Sequence, residues 1–147
     1  MVIQFAIGGL LLVSSVLCAG ITFWALERRL TRSRVWLSRP PHAPKLMLVL
    51  CATALWVLIQ MTVAVWIWAL TFNALGILAD LEEAVYFTLV AFTTLGFGDI
   101  LLPLQWRLLG GMAALNGLVN IGLVTAAMIE VLRQVRSQQI AMLSETS

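Results

Sequence analysis

Three long apolar stretches and one short one dominate the hydrophobic pattern of the chain. Residues 1–26, 46–70 and 108–129 contain no charged side chain. Each is long enough to cross a membrane, which takes about 20 apolar residues in a helix. The short stretch, Leu81–Phe92, would form only about 18 Å of helix, against about 30 Å for the hydrocarbon core. The pattern predicts three spanning helices and a fourth that either enters the membrane and returns or stays at its surface.

Composition supports a membrane protein and argues against a soluble domain. Hydrophobic residues make up 61% of the chain and charged residues 11%, which is typical of helices that face lipid. The first apolar stretch has no basic residue at its start and is longer than the apolar part of a secretory signal. We therefore expect it to be retained as a spanning helix. The predicted fold class is an all-α membrane protein.

The charged residues predict how the chain is oriented. Residues 27–45 form a basic loop and residues 71–107 an acidic segment, and cytoplasmic loops of membrane proteins collect Lys and Arg. We therefore expect the loop and the carboxyl terminus in the cytoplasm and the amino terminus outside, in a plasma membrane or a bacterial inner membrane. The bases are also candidate contacts for anionic lipid headgroups, although topology alone accounts for them. They are Arg28, Arg29, Arg32, Arg34, Arg39 and Lys45.

The short helix has a start signal. Asp80 is followed three residues later by Glu83, a spacing similar to that of a capping box, which places acids over the positive end of a helix. The other end of the helix, at Phe92 and Thr93, would direct its partial negative charge towards the membrane centre. Both ends therefore suit cations.

Two glycines alternate with large apolar residues directly after the short helix. Gly96 and Gly98 adopt left-handed backbone conformations at little steric cost, and the side chains of Leu95 and Phe97 between them can anchor the segment. Such alternation can turn successive carbonyl oxygens in one direction. A glycine-rich turn before a helix is the alternative, since Gly-x-Gly alone is common in turns.

The run Thr93–Asp99, with a short helix before it and a long apolar stretch on either side, resembles the pore loop of the two-transmembrane potassium-channel family. The resemblance covers about residues 46–132 and implies a homotetramer with four copies of the loop around one axis. It divides that part of the chain into an outer helix over 46–70, a pore helix over 81–92, a filter over 93–99 and an inner helix over 104–132. Residues 1–26 would be an additional spanning helix, and residues 133–147 a short cytoplasmic tail.

The resemblance also implies a function and its residues. In this family, rings of oxygen atoms replace the water shell of K⁺, which crosses the membrane passively. No cofactor is expected, since K⁺ itself is the bound and transported ion. Asp99 would place a carboxylate at the outer mouth. The predicted ion-binding positions are Thr93, Thr94, Leu95, Gly96, Phe97 and Gly98, with K⁺ held between Thr94 and Gly98.

The filter-support positions differ from those of the best-known members of the family. Phe97 stands where many relatives have tyrosine, which removes a hydroxyl from the filter. Tyr86 and Phe87 stand where many have two tryptophans, and Val90 where some bacterial members have glutamate. We predict that the Tyr86 hydroxyl reaches Asp99 instead.

Polar residues in the third span have two interpretations. Asn116 and Asn120 share a helix face with Ala113, Val124 and Ala127. An asparagine in a membrane helix most often bonds to a neighbouring helix, whereas the resemblance favours polar rings that line a cavity beneath the filter. The glycines of this span, Gly110, Gly111, Gly117 and Gly122, are expected to permit close helix approach, and one of them is a candidate hinge.

Three functional classes were weighed against a potassium channel. A weakly selective Na⁺/K⁺ channel and a non-conducting subunit that assembles with another channel both fit the motif. An enzyme does not, because the single histidine, His42, has no companion residues for acid–base or nucleophilic catalysis and no metal-ligand cluster appears in the sequence. No nucleic-acid partner is expected.

Overall fold

The computed structural model describes residues 1–32 and 42–145. Helix α1 covers Val2–Arg32, α2 His42–Ala74, α3 Leu81–Phe92 and α4 Arg107–Glu145, and one turn of 3₁₀ helix, Leu104–Trp106, leads into α4. The described part of the chain contains no strand. The predicted all-α fold class is confirmed.

Three helices are long and apolar enough to cross a membrane, as the sequence predicts. Their candidate spans are Val2–Arg29, Pro44–Ala74 and Leu104–Ser137. Each exceeds the corresponding charge-free stretch because the helix continues past the apolar residues into its charged flank. The beginning of the predicted basic loop therefore belongs to α1, while residues 33–41, with Arg34 and Arg39, lie outside the described residues.

The chain beyond residue 132, predicted as a tail, continues α4 as a helix to Glu145. Val131 and Val135 are buried one turn apart and form a small core with Val49 of α2, against which Phe23 and Leu26 of α1 pack. The three long helices therefore share apolar contacts at this end of the bundle. This packing supports α4 beyond the stretch that the sequence alone marks as apolar.

Helix α3 has 12 residues, and its bounds agree with the prediction at both ends. It buries Ala84, Thr88 and Phe92, which recur every four residues and so lie on one face. That face packs against α2 and α4, where Phe92 meets the fully buried Trp68 with ring centroids 6.4 Å apart. A continuous core thus fixes the short helix between two long ones.

The start of α3 differs in detail from the capping box expected. Asp80 occupies the N-cap position with extended backbone, but its side chain makes no capping hydrogen bond. Its carbonyl accepts the first helical bond from the Ala84 amide at 3.0 Å. The preceding turn is fastened by Asn73, whose side-chain amide donates to the carbonyls of Leu78 and Ala79 at 3.2 and 3.1 Å.

Helix α1 packs chiefly along α4. At one end, the Gln4 side-chain oxygen accepts a hydrogen bond from the Leu109 backbone amide at 3.1 Å. Leu109 lies in the first turn of α4, where backbone amides have no partner within their own helix. One turn further along α1, a Cβ added to Gly8 would lie 2.5 Å from the sulfur of Met112. The absence of a side chain at Gly8 therefore lets the two helices approach closely.

Candidate functional site

The filter segment, residues 93–99, begins at the carboxyl-terminal end of α3. The Thr94 amide donates to the Ala91 carbonyl and the Leu95 amide to the Val90 carbonyl, each at 3.0 Å. This pair of bonds is a Schellman motif, in which the residue after the C-cap has left-handed backbone and is usually glycine. Here that residue is Thr94, with φ of 57°. A β-branched residue in this region is a true outlier, and such strain costs about 1–3 kcal/mol.

Thr93 belongs to the helix end and not to the ladder of carbonyls that follows. It is the C-cap of α3, and its hydroxyl donates to the Leu89 carbonyl at 2.8 Å. The Thr93 hydroxyl is thus engaged within α3, and the role of Thr93 in ion binding stays a prediction. The unusual backbone begins one residue later.

The backbone from Thr94 to Gly98 alternates in handedness. Thr94, Gly96 and Gly98 have φ of 57°, 59° and 76°, whereas Leu95 and Phe97 between them do not have positive φ. When left-handed and right-handed residues alternate, consecutive peptide units turn their carbonyls towards the same side. The sequence predicted this alternation at the two glycines, and the structure extends it to Thr94.

The carbonyls of this segment are available for a ligand. Among the backbone hydrogen bonds formed by the described residues, none is accepted by a carbonyl between Thr94 and Gly98. The side chains of Leu95 and Phe97 are 56% and 67% exposed in the single chain. A row of unpaired carbonyl oxygens is what a dehydrated cation requires.

Tyr86 and Asp99 join the outer end of this segment to α3, as predicted. The Tyr86 hydroxyl donates to a carboxylate oxygen of Asp99 at 2.6 Å. This bond raises the pKa of Tyr86 above its ordinary value, with smaller contributions from burial and from the Asp99 charge. It also lowers the pKa of Asp99, against a smaller opposing effect of burial. The pair is therefore neutral tyrosine and ionised aspartate at physiological pH.

A cavity of about 240 Å³ separates the segment from α3. Phe87 and Val90, the other predicted support positions, line it together with Gly96 and Gly98. Phe87 also packs edge-on against Phe72 of α2, with ring centroids 5.4 Å apart. The contacts of this segment with α3 therefore consist of the backbone bonds donated by Thr94 and Leu95, the side-chain bond to Asp99, and the apolar lining of the cavity beside Gly96 and Gly98.

Comparison with known families decides the class of protein. A family model described as "Ion channel" matches residues 46–134, which is more than half of the chain. The chain belongs to this two-transmembrane ion-channel family. The resemblance seen in the sequence is thus confirmed, and the match contains α2, α3, the filter segment and most of α4, but not α1. Comparison with curated proteins and with solved structures finds no match.

Gly117 is where α4 of the channel meets the end of α3. A Cβ added to Gly117 would lie 2.4 Å from both the Cα and the carbonyl oxygen of Phe92. The obstacle is backbone, so no side-chain rotation can relieve it. Among the candidate hinge glycines, Gly111 and Gly122 have open space around them and Gly110 has neighbours at 3.1 Å and beyond. Gly117 is therefore a packing glycine against the last turn of α3.

Asn116 and Asn120 do not line a cavity in this structure, which corrects that prediction. Both residues are completely buried within the single chain. The Ser15 hydroxyl of α1 donates to the side-chain oxygen of Asn116 at 2.7 Å, and the Asn120 amide donates to the Ser15 hydroxyl at 3.3 Å. The alternative interpretation, a hydrogen bond between helices, is the one that the geometry supports. The two asparagines share one face of α4, as predicted, but this face packs against α1.

Another face of α4 is left without a partner in the single channel chain. It runs through Leu115, Leu118, Thr125 and Ile129, all exposed and spaced three, four or seven residues apart. Thr125 is its one polar member, and that hydroxyl donates to the Ile121 carbonyl of its own helix at 2.7 Å. This face is apolar and free for contacts beyond the chain.

Sequence reasoning missed two residues of the channel, Gln4 and Ser15, and the backbone conformation of Thr94, which it had named as an ion-binding position. Gln4 and Ser15 connect α1 to α4, and Thr94 adopts left-handed backbone. The signal for the first two was present, because a polar side chain inside an apolar span usually bonds to another helix. For Thr94 there was no local signal, since threonine avoids this conformation.

Proposed function

We propose that the chain is a potassium-selective channel, which conducts K⁺ passively through a homotetrameric pore. The observation that carries the proposal is the alternating backbone from Thr94 to Gly98, whose carbonyls accept no backbone hydrogen bond among the described residues. Such a backbone is strained at Thr94 and costly in an apolar environment unless its oxygens are solvated. Coordination of a partly dehydrated cation supplies that solvation.

Oligomerisation follows from where this backbone lies. The segment connects two membrane-spanning helices and is exposed throughout in one chain. Irregular backbone at membrane depth is tolerated only where protein buries it or where it lines a water-filled space. The family resemblance implies four copies, which would cover Leu95 and Phe97 with neighbouring subunits and direct four sets of carbonyls to one axis.

Electrostatics of the channel favour cations at both ends of the filter. The Asp99 carboxylate is exposed at the outer end, and Glu82 and Glu83 lie in the first turn of α3. Repeated around a symmetric assembly, these acids raise the local cation concentration. The other end of α3, at Thr93, contributes the partial negative charge of a helix C-terminus.

The cavity beneath the filter is assigned to the free face of α4. With Asn116 and Asn120 turned towards α1, the exposed residues of this face, among them Leu118, Thr125 and Ile129, are proposed to face the axis. An apolar cavity wall with one hydroxyl per subunit leaves the ion hydrated by water and not by protein. It also suits a gate that closes by dewetting.

The orientation proposed for the channel places the filter towards the outside and the helix ends near Arg29 and Arg133 in the cytoplasm. Arg28 lies over the ring of Trp24 at 4.0 Å, an arrangement suited to the membrane interface. Together with Arg29 and Arg32, this end of α1 is the proposed contact for anionic lipid headgroups.

The proposal is tested by ion flux into liposomes that contain only the purified chain. K⁺ and Na⁺ gradients are compared, barium is added as a blocker of potassium size, and native mass spectrometry gives the number of subunits. We expect K⁺ flux, little Na⁺ flux, block by barium and a mass of four chains. Equal Na⁺ and K⁺ flux would favour the weakly selective channel. A stable assembly without flux would favour a non-conducting subunit.

Substitution of Gly96 tests whether the backbone itself coordinates the ion. Gly96→Ala places a Cβ on a residue with φ of 59° and should abolish selective flux, because a side chain there costs about 1–2 kcal/mol and turns the carbonyl. The matched control is Gly76→Ala, since Gly76 also has positive φ and open surroundings but lies in the loop before α3. Selective K⁺ flux that survives in Gly96→Ala would contradict the assignment.

A further inference from the structure

A buried polar cluster joins α1 to α4 near the middle of their two candidate membrane spans. It consists of Ser15, Asn116 and Asn120, each fully buried. The Ser15 hydroxyl is 2.7 Å from the side-chain oxygen of Asn116, and it is also 2.9 Å from the Leu12 carbonyl of its own helix. The Asn120 amide donates to Ser15 and, at 2.9 Å, to the Asn116 carbonyl. Two turns of α4 are therefore connected to one hydroxyl on α1.

The cluster lies directly beside the contact between α4 and α3. Asn116 immediately precedes Gly117, whose Cα faces the backbone of Phe92 at the last turn of α3. The same turn supplies the Val90 and Ala91 carbonyls that hold Leu95 and Thr94. A path of covalent and packing contacts thus runs from Ser15, through Asn116 and Gly117, to the first residues of the filter.

Polar groups buried between apolar helices restrict how the helices can rotate. If α4 turned about its axis, the Asn116 side-chain oxygen and the Asn120 amide would lose their bonds to Ser15. Both groups would turn towards hydrocarbon with only the bonds between Asn116 and Asn120 left, which is costly. The tight contact between Gly117 and Phe92 likewise forms only when α4 keeps this rotation about its axis. Ser14 provides a contrast on the same helix, because its hydroxyl bonds only to the Leu11 carbonyl and is exposed.

We infer that Ser15 is a positioning residue for the filter: through Asn116 and Asn120 it fixes the rotation of α4 beneath α3, and so makes α1 a working part of the pore. Helix α1 lies outside the residues matched by the family, so this role belongs to the additional helix of this chain. Its effect on ion selectivity rests on the proposed function. Its effect on the geometry of the filter segment does not.

The test compares Ser15→Ala with Ser14→Ala in the full-length protein. Hydrogen exchange over residues 90–98, read by mass spectrometry, reports the bonds that Thr94 and Leu95 donate to α3. We expect Ser15→Ala to accelerate this exchange about three- to tenfold, the effect of losing one or two hydrogen bonds between membrane helices. The K⁺/Na⁺ permeability ratio should fall by a similar factor. Ser14→Ala should leave both values unchanged.

A double-variant cycle distinguishes positioning from general loosening. If Ser15 acts through Asn116, the pair Ser15→Ala and Asn116→Ala should alter exchange over residues 90–98 no more than Asn116→Ala alone. If Ser15→Ala does not assemble, Ser15→Cys keeps a similar volume with a weaker donor, and Ser14→Cys is its control. The inference would be overturned if exchange over residues 90–98 were the same in the Ser15 and Ser14 variants. This would hold even if the two variants differed in melting temperature. A wild-type protein without K⁺ selectivity would instead refute the proposed function, and the exchange comparison would still decide the role of Ser15.

Discussion

Replacement of Gly117 by alanine should separate α4 from the end of α3 and thereby disturb the filter. The added Cβ would lie 2.4 Å from the Phe92 Cα and carbonyl oxygen and 2.7 Å from its carbonyl carbon. Since comfortable contacts between carbon atoms are about 3.5–4.0 Å, the two backbones must move apart by about 1 Å. Phe92 cannot yield alone, because it is held between Trp68 and the core of α2 and α4.

The free-energy cost of this clash is obtained by comparing Gly117 with a second glycine of the same helix. Gly111 has nothing within 4 Å of its added Cβ, so Gly111→Ala gains only the helix propensity of alanine, about 1 kcal/mol. Gly117→Ala gains the same term but also incurs the cost of overpacking, about 1–3 kcal/mol. The difference between the two variants therefore isolates the clash.

Two measurements check this prediction. Thermal inactivation of the solubilised channel should occur at a lower temperature in Gly117→Ala than in Gly111→Ala. Flux into liposomes should show a lower K⁺/Na⁺ permeability ratio for Gly117→Ala, because the shifted turn of α3 carries the acceptors of the Thr94 and Leu95 amides. If Gly117→Ala keeps both the inactivation temperature and the ratio of Gly111→Ala, the contact does not position the filter. In that case Gly117 would be free to act as a hinge.

Two further predictions concern the ends of the filter segment and of α4. Tyr86→Phe removes the bond to Asp99 and should accelerate loss of conduction during sustained flux. The bond needs ionised Asp99, whose pKa is lowered, and neutral Tyr86, whose pKa is raised. The stabilisation of the filter segment by this bond should therefore be constant from about pH 5 to pH 9 and should fall as the pH drops below the ordinary aspartate pKa of about 3.9. In Tyr86→Phe this stabilisation should be absent at every pH. The prediction would be contradicted if conduction by the wild type and conduction by Tyr86→Phe changed with pH in the same way. Gln4→Leu leaves the Leu109 amide without its acceptor and should lower stability by about 1 kcal/mol or more, measured as thermal inactivation against the exposed control Gln105→Leu.

Local spacing was sufficient to predict the parts of the site that neighbouring residues determine. The bounds of α3 at Leu81 and Phe92 agree with the prediction, because an apolar run between acids and a threonine pair defines a helix by itself. The contact of Tyr86 with Asp99 was also predicted. Both residues lie within α3 and the segment that directly follows it. The distance between them therefore depends little on the rest of the fold.

Tertiary packing determined the features that the sequence could not predict. The stripe of Asn116 and Asn120 was evident from helix periodicity, but periodicity does not say which neighbour the stripe faces. The rotation of α4 depends on α1, which has no counterpart in the family match. Likewise, the left-handed conformation of Thr94 is imposed by the Schellman bonds to Val90 and Ala91 and not by threonine itself. The extension of α4 to Glu145 depends on valines that meet α2 only in the folded chain.

The contacts between α1 and α4 also determine the order in which the chain can be assembled. Gln4 and Leu109 are separated by 105 positions, and Ser15 and Asn116 by 101. At ribosomal rates of about 5–20 residues per second, α1 emerges roughly 5–20 s before its partner is synthesised. During that interval the Gln4 side-chain oxygen lacks its native donor, and the Ser15 hydroxyl has only the Leu12 carbonyl of its own helix as a native partner. Docking of α1 against α4 therefore has to wait until α4 has been synthesised, whereas its contacts with α2, such as Thr22 with Gln60, can form earlier.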